Sequence, residues 1–270
     1  MILVNGVATD LLAATDRGLA YGDGVFRTFP VSGGRTRHWH LQYHKLAEDC
    51  AALALHCPEE SVLAEELQRV CAAHPECNVK IMVTRGSGER GYAPPQPAAP
   101  RHVVIASPPS RHPAEFSREG VRIRICSTRV AAQSRLAGVK HLNRLENVLA
   151  RMEWSDPAVA EGLMLDAEGN VVGGTMTNLF MVDDEGLATP DLSNCGVAGV
   201  TRARVLAGAS RHGVNCRIEP LPLNRVLDAR ELILVNSVIG AWPVRDIDGR
   251  TLRPGDGIVR VTAWLGEDDD

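Results

Sequence analysis

Beyond residue 120 the chain alternates short apolar runs with helix-patterned segments, and this restricts it to layered folds in which helices cover a sheet. Strand patterns at 121–128, 162–166, 178–182 and 232–236 interleave with helix patterns at 143–154, 201–212 and 223–229. The amino-terminal part reads as α+β. A strand over 1–7 is followed by the turn Gly22-Asp23-Gly24 and a second strand over 25–31, whose alternation predicts one buried face. Helices over 41–55, with Leu46, Ala47 and Leu53 inward, and 59–73 precede strands over 79–84 and 102–107. The proline-rich 93–100 stretch reads as a stiff surface loop. Residues 108–113, PPSRHP, form the best linker signal. We therefore expect a smaller α+β domain over 1–109, a linker over 110–118 and a larger α/β domain over 119–270, with a small-molecule site in the cleft.

Composition narrows the function classes. A net charge of −4 with both signs interspersed argues against nucleic-acid binding. No apolar run approaches the ~20 residues that span a bilayer, which points away from a membrane role. Seven cysteines without a C-x-x-C pair, after an amino terminus with no signal-peptide pattern, fit a reducing cytoplasm. The like-charge run over 267–270 reads as a solvated tail.

Several segments carry possible chemistry. His38, His40 and His44 lack a carboxylate or cysteine at ligand spacing, so no metal site is expected. Gly196 to Arg202, GVAGVTR, is a glycine turn entering a helix, a place where exposed amides suit a phosphate or simply close a strand-to-helix connection. RGSGERGY, from Arg85 to Tyr92, offers two guanidinium groups suited to carboxylates. AGVKHLNRLENVLAR sets Lys140 just before a helix. There Asn143 and Glu146 resemble a cap, and Leu145, Val148, Leu149 and Met152 mark one apolar stripe. Lys140 is either a surface lysine with a packed stem or a desolvated amine able to act as a base or form a Schiff base.

Together these stretches resemble the fold-type-IV pyridoxal-phosphate enzymes, the group of branched-chain and D-amino-acid aminotransferases and aminodeoxychorismate lyases. DRGLAYGDGVF, KHLNRLENVLAR, GGTMTNLF, GVAGVTR and Val235-Asn236-Ser237 carry the likeness, which spans essentially the whole chain. RGSGERGY and KHLNRLENVL are most similar to the lyase branch.

The resemblance implies a homodimer that holds pyridoxal 5'-phosphate on Lys140 in the interdomain cleft. Val200, Thr201 and Ser237 would bind its phosphate, and Arg85, Arg90 and Tyr92 the substrate carboxylates. Tyr21, Phe26 and Thr28 would line the cleft. It further implies conversion of 4-amino-4-deoxychorismate to 4-aminobenzoate and pyruvate, a step toward folate. The alternatives are an aminotransferase and a homologue that binds the cofactor without turnover. Two positions depart from the family pattern. Lys45 stands where the family has a phosphate-binding arginine, and Gly173 where it has the glutamate that faces the pyridine nitrogen.

Overall fold

The strand Gly24–Ser32 organises the first of two units, which comprises Met1–Arg111 with Val139–Asn143. Its alternation places Val25, Arg27, Phe29 and Val31 on a buried face and Phe26, Thr28 and Pro30 on a half-buried one. It pairs antiparallel with Cys77–Thr84, which pairs in turn with Arg101–Ser107. Ile2–Val4 and Val7–Ala8 extend that side of the six-stranded sheet, and Arg35–Thr36 closes the other. The computed structural model describes residues 1–267, so residues 268–270 of the acidic tail lie outside the described residues. Where a single strand over 1–7 is expected, Asn5-Gly6 makes a two-residue turn with positive φ at both positions and splits it into a hairpin.

Helices Trp39–Ala52 and Glu60–Ala73 cover the Val25 face with Leu46, Cys50, Leu63, Leu67 and Val70. Arg27 lies on this same apolar face, 3% exposed. A guanidinium there needs a counter-charge. Asp49, fully buried on the inward side of the first of these helices, supplies it. Its Oδ2 accepts from Arg27 Nη2 and from the Lys140 backbone N–H at 3.2 Å, while Oδ1 accepts from Lys45 Nζ at 2.6 Å. Residues 139–143 thereby join this unit's sheet beside Gly24–Phe26. Phe26 N–H donates to Lys140 O and Leu142 N–H to Gly24 O, both at 2.9 Å. Gly24 permits the approach, since a Cβ there would sit 2.4 Å from Val83 O and 2.8 Å from Leu142 Cδ1.

The second unit, His112–Gly138 with 144–267, is built on a nine-stranded sheet. Its strands run in the order Cys216–Glu219, Gly186–Pro190, Asn178–Asp183, Glu231–Asn236, Gly240–Ile247, Val121–Arg129, Val159–Leu165 and Val171–Gly174, with Arg250–Thr251 paired to Gly240–Ile247. The central strands are buried on both faces, which is why their sequences are continuous apolar runs. Leu179, Met181, Leu232 and Leu234 enter one core. Phe180, Ile233 and Val235 enter another, against helices Val200–Arg211 and Asp256–Gly266. Among the described residues no helix is long and apolar enough to cross a membrane.

One expected packing is reversed. The helix is Leu145–Arg151, and its stripe is exposed: Leu145 68%, Val148 51%, Leu149 48% and Met152 73%. The small side of the helix faces the sheet instead, with Ala150 packed among Cys126, Trp154 and Met164. Asn143 does not cap this helix. Arg144 holds the cap position, and Asn143 Nδ2 donates to Gly22 O at 3.1 Å.

Removing one member of a buried ion pair leaves the other uncompensated. Asp49→Ala should therefore destabilise the protein by about 3–5 kcal/mol in denaturant unfolding, and Arg27→Met with Asp49→Leu should recover most of that loss. Equal stability of Asp49→Ala and wild type would refute this account.

Candidate active site

Lys140 is held by its main chain. The amide is tied to Asp49 and the carbonyl to Phe26, and Val139 before it is 4% exposed, so the segment is fixed while the side chain extends over the Phe26 ring. The ammonium lies 4.8 Å from the ring centroid, a cation–π contact. Lys45, considered as a phosphate ligand, spends its ammonium on Asp49 and, at 3.5 Å, on Glu48.

The DRGLAYGDG stretch is a scaffold for the arginine-glycine loop. Asp16, fully buried, caps helix Arg17–Tyr21 by accepting from Gly18 N–H and also accepts from Thr84 Oγ1 and Arg101 Nη1. Arg17 donates to the carbonyls of Gly91, Tyr92 and Ala93 and to Asp23 Oδ2. Arg85 donates to the same Asp23 oxygen at 2.8 Å and to the carbonyls of Leu53 and Ala54. Burial pushes the Asp23 carboxyl up, but the hydrogen bonds from Arg85 and Arg17 prevail and hold it below the usual carboxylate range. Of the three expected substrate residues, then, Arg85 is engaged in the scaffold. Arg90 and Tyr92 are exposed, with the Tyr92 ring 5.5 Å from that of Tyr21.

In the second unit Asn178 organises the turn that enters helix Val200–Arg211. Its Oδ1 accepts from Gly199 N–H at 3.1 Å and its Nδ2 donates to Val197 O at 2.8 Å. The first amides of this helix have no intrahelical acceptor, so an anion there meets N–H groups and the positive end of the helix dipole. Arg202 is not available to such an anion. It is 8% exposed and donates to Thr189 Oγ1 and Pro190 O, locking the helix to its neighbouring strand. Asn236 Oδ1 accepts from the amides of Val238 and Ile239, a turn that sets Ser237 Oγ 3.2 Å from Thr201 Oγ1. Two hydroxyls beside a helix start suit a phosphate. The structure thus brings Thr201, next to Val200 in the first turn of the helix, together with Ser237.

The GGTMTNLF stretch wraps a buried acid that the motifs do not reveal. Glu161, fully buried on Val159–Leu165, accepts at Oε1 from Gly162 N–H, Thr175 N–H and Thr175 Oγ1, and at Oε2 from Met176 N–H and Thr177 Oγ1. Burial pushes the Glu161 carboxyl above the usual carboxylate range, and these five donors offset that only in part. Gly174 must lack a side chain here, because a Cβ would fall 2.6 Å from Glu161 Oε2 and 2.2 Å from Thr177 Oγ1. Glu161 therefore has its acceptor capacity filled by the loop.

A sequence-family model described as amino-transferase class IV matches residues 24–247. The chain is 32% identical to an aminodeoxychorismate lyase of Vibrio harveyi over 92% of its length and 91% of the relative's. It is 30% identical to a putative branched-chain-amino-acid aminotransferase of Methanocaldococcus jannaschii over 93% and 89%. The crystal structure of 4-amino-4-deoxychorismate lyase from Pseudomonas aeruginosa superposes with a TM-score of 0.94 at 44% identity, covering 99% of both chains.

The depressed Asp23 pKa carries a sign. Its contribution is present above the unfolded carboxylate pKa of about 3.9 and is lost as pH falls through the lower folded value. Asp23→Asn should cost about 1–3 kcal/mol at pH 7, and its deficit in thermal unfolding should close below about pH 4 as wild-type Asp23 takes up a proton. A deficit constant with pH would contradict the assignment.

Proposed function

The chain belongs to the class IV amino-transferase family, and from that premise we propose that it is a pyridoxal-phosphate-dependent lyase converting 4-amino-4-deoxychorismate to 4-aminobenzoate and pyruvate. The likeness to the Pseudomonas aeruginosa lyase, running the full length of both chains, carries this reading.

The residues present fit the cofactor. Val200 and Thr201 offer amides at a helix start, and the Thr201 and Ser237 hydroxyls offer donors to its phosphate. Lys140 supplies the amine. When bound, pyridoxal phosphate supplies an electron sink for the carbon bearing the substrate nitrogen. With the cofactor bound, Lys140 Nζ would be the base that removes the proton from that ring carbon. It then delivers a proton to the departing enolpyruvyl group as the carbon–oxygen bond breaks and the ring becomes aromatic. Fixing its main chain through Asp49 and Phe26 keeps the base in place for both transfers. Arg90 and Tyr92, exposed at the loop that Arg17 secures, are proposed to meet substrate carboxylates. The absence of a carboxylate at Gly173 favours elimination over transamination, since aromatisation supplies driving force that transamination must draw from the protonated pyridine ring.

The exposed stripe of Leu145, Val148, Leu149 and Met152 supports a homodimer, because a contiguous apolar patch of this kind marks an association surface.

Lys140→Ala should abolish 4-aminobenzoate release and the borohydride-trapped cofactor adduct. Wild type mixed with an amino acid alone should form little pyridoxamine phosphate; ready formation would favour the aminotransferase reading. In sedimentation, wild type should run as a dimer and Leu149→Glu with Met152→Glu as a monomer. A wild-type monomer would refute the dimer.

A further inference from the structure

The helix Trp39–Ala52 ends in a turn that folds back on itself. Cys50 O accepts from Leu53 N–H at 3.1 Å and from Leu55 N–H at 2.8 Å, and Ala54 takes the left-handed conformation with φ 49°. The reversal brings Cys57 back to the end of the helix. There it packs against the apolar cluster that contains Cys50, and the two thiols are hydrogen-bonded to one another. The Tyr43 hydroxyl, which donates to Pro58 O at 3.0 Å, lies within hydrogen-bond reach of the Cys57 sulfur. Cys50 is fully buried and Cys57 half-buried, so a small solute reaches the pair through Cys57.

The thiolate is the nucleophilic form of cysteine, and the seven cysteines differ in how readily they form it. Burial pushes Cys71, Cys77 and Cys195 up, Cys126 to about 12 and Cys216 to about 11. Cys57 alone is lowered. The hydrogen bond from Cys50, helped by Tyr43, outweighs burial and the Glu59 charge, and the same bond raises Cys50, which keeps its proton. We propose that Cys57 and Cys50 form a site of reversible oxidation by a hydroperoxide, with Cys57 as the thiol attacked and Cys50 as the thiol that resolves it. The Cys57 thiolate takes one oxygen of hydrogen peroxide as the O–O bond breaks. The sulfur becomes a sulfenic acid, and the other oxygen leaves as hydroxide, which recovers the proton given up by the thiol and becomes water. Cys50 sulfur then attacks the sulfenic sulfur. An S–S bond forms, the S–O bond breaks, and the hydroxyl leaves with the Cys50 proton as a second water. Two thiols are oxidised and one peroxide is reduced. The link begins one residue from Asp49, which holds the Lys140 amide, and spans the turn whose Leu53 and Ala54 carbonyls Arg85 holds. It is therefore set in the support of both Lys140 and the arginine-glycine loop.

The test treats the full chain with hydrogen peroxide, blocks the remaining thiols and maps disulfides by non-reducing peptide mass. Wild type should yield a Cys50–Cys57 linked peptide before any other cysteine is oxidised, and dithiothreitol should return both thiols. With dimedone present, Cys50→Ala should carry the sulfenic-acid adduct on Cys57, because no thiol remains to resolve it. Cys57→Ser should show no link and no adduct on Cys50. Unchanged thermal unfolding shows that each variant is folded; should Cys50→Ala unfold, Cys57→Ser, altered at the half-buried position, decides. Oxidation of any other cysteine ahead of Cys57, over-oxidation of Cys57 in wild type without a link to Cys50, or a Cys57 disulfide between two chains would overturn the proposal. None of these measurements involves turnover, so their failure leaves the lyase reading untouched.

Discussion

The carboxylate of Asp49 is the interaction on which the lysine half of the site depends. Burying an anion in a core of leucine, valine and cysteine costs several kcal/mol unless its oxygens are well partnered. Here Arg27 and Lys45 provide charge, and the Lys140 amide uses what acceptor capacity is left on Oδ2. The consequence is a division of labour within one residue. Lys140 is fixed through its backbone, while its amine lies over an aromatic face. On the proposed reading, an amine that moves protons gains from a main chain held in place independently of it.

The second unit uses an acid in a related way. Glu161 is as deeply buried as Asp49, but its partners are the amides and hydroxyls of one loop instead of cations. Such an acid shapes backbone. It bends residues 174–177 around itself, and the next residue, Asn178, orders the turn at the helix start. A buried carboxylate, a small-residue loop and an asparagine thus set the start of helix Val200–Arg211 in place. Arg202, which might seem suited to that task, is committed to Thr189 and Pro190.

The sequence made most of this architecture legible where periodicity is unambiguous. The alternation of 25–31 and the apolar runs at 178–182 and 232–236 became strands because pairing with neighbours on both sides rewards those patterns. The short strands at Val171–Gly174 and Cys216–Glu219 were illegible, since pieces this brief or glycine-rich carry little period of their own. Lys140, Thr201 and Ser237 could be picked out because their flanking motifs are distinctive. Asp49, Arg27 and Glu161 could not, although a signal existed: each is a charge on the inward phase of its own strand or helix. Arg85 misled because an arginine in a glycine-rich loop looks available until Asp23 and two carbonyls are seen to hold it. The stripe of residues 145–152 has the period of a buried face, and period alone cannot say whether the covering surface belongs to the same chain.

If Gly173 stands where the family carries its acid, as the resemblance implies, the proposed chemistry must place its demands elsewhere. A carbanion that must be held on the cofactor long enough to be reprotonated elsewhere requires a strongly electron-withdrawing ring, hence an acid at the pyridine nitrogen. A substrate that becomes aromatic on losing a proton and a leaving group discharges that electron density into its own product. For such a substrate the barrier is governed by whether the base meets the right proton and the ring lies in the right plane. On the proposed reading, a lysine with a fixed main chain and an aromatic ring at Phe26 beside its amine would serve that need. A site of this kind would rest on placement more than on electronic activation, which an aromatising elimination tolerates.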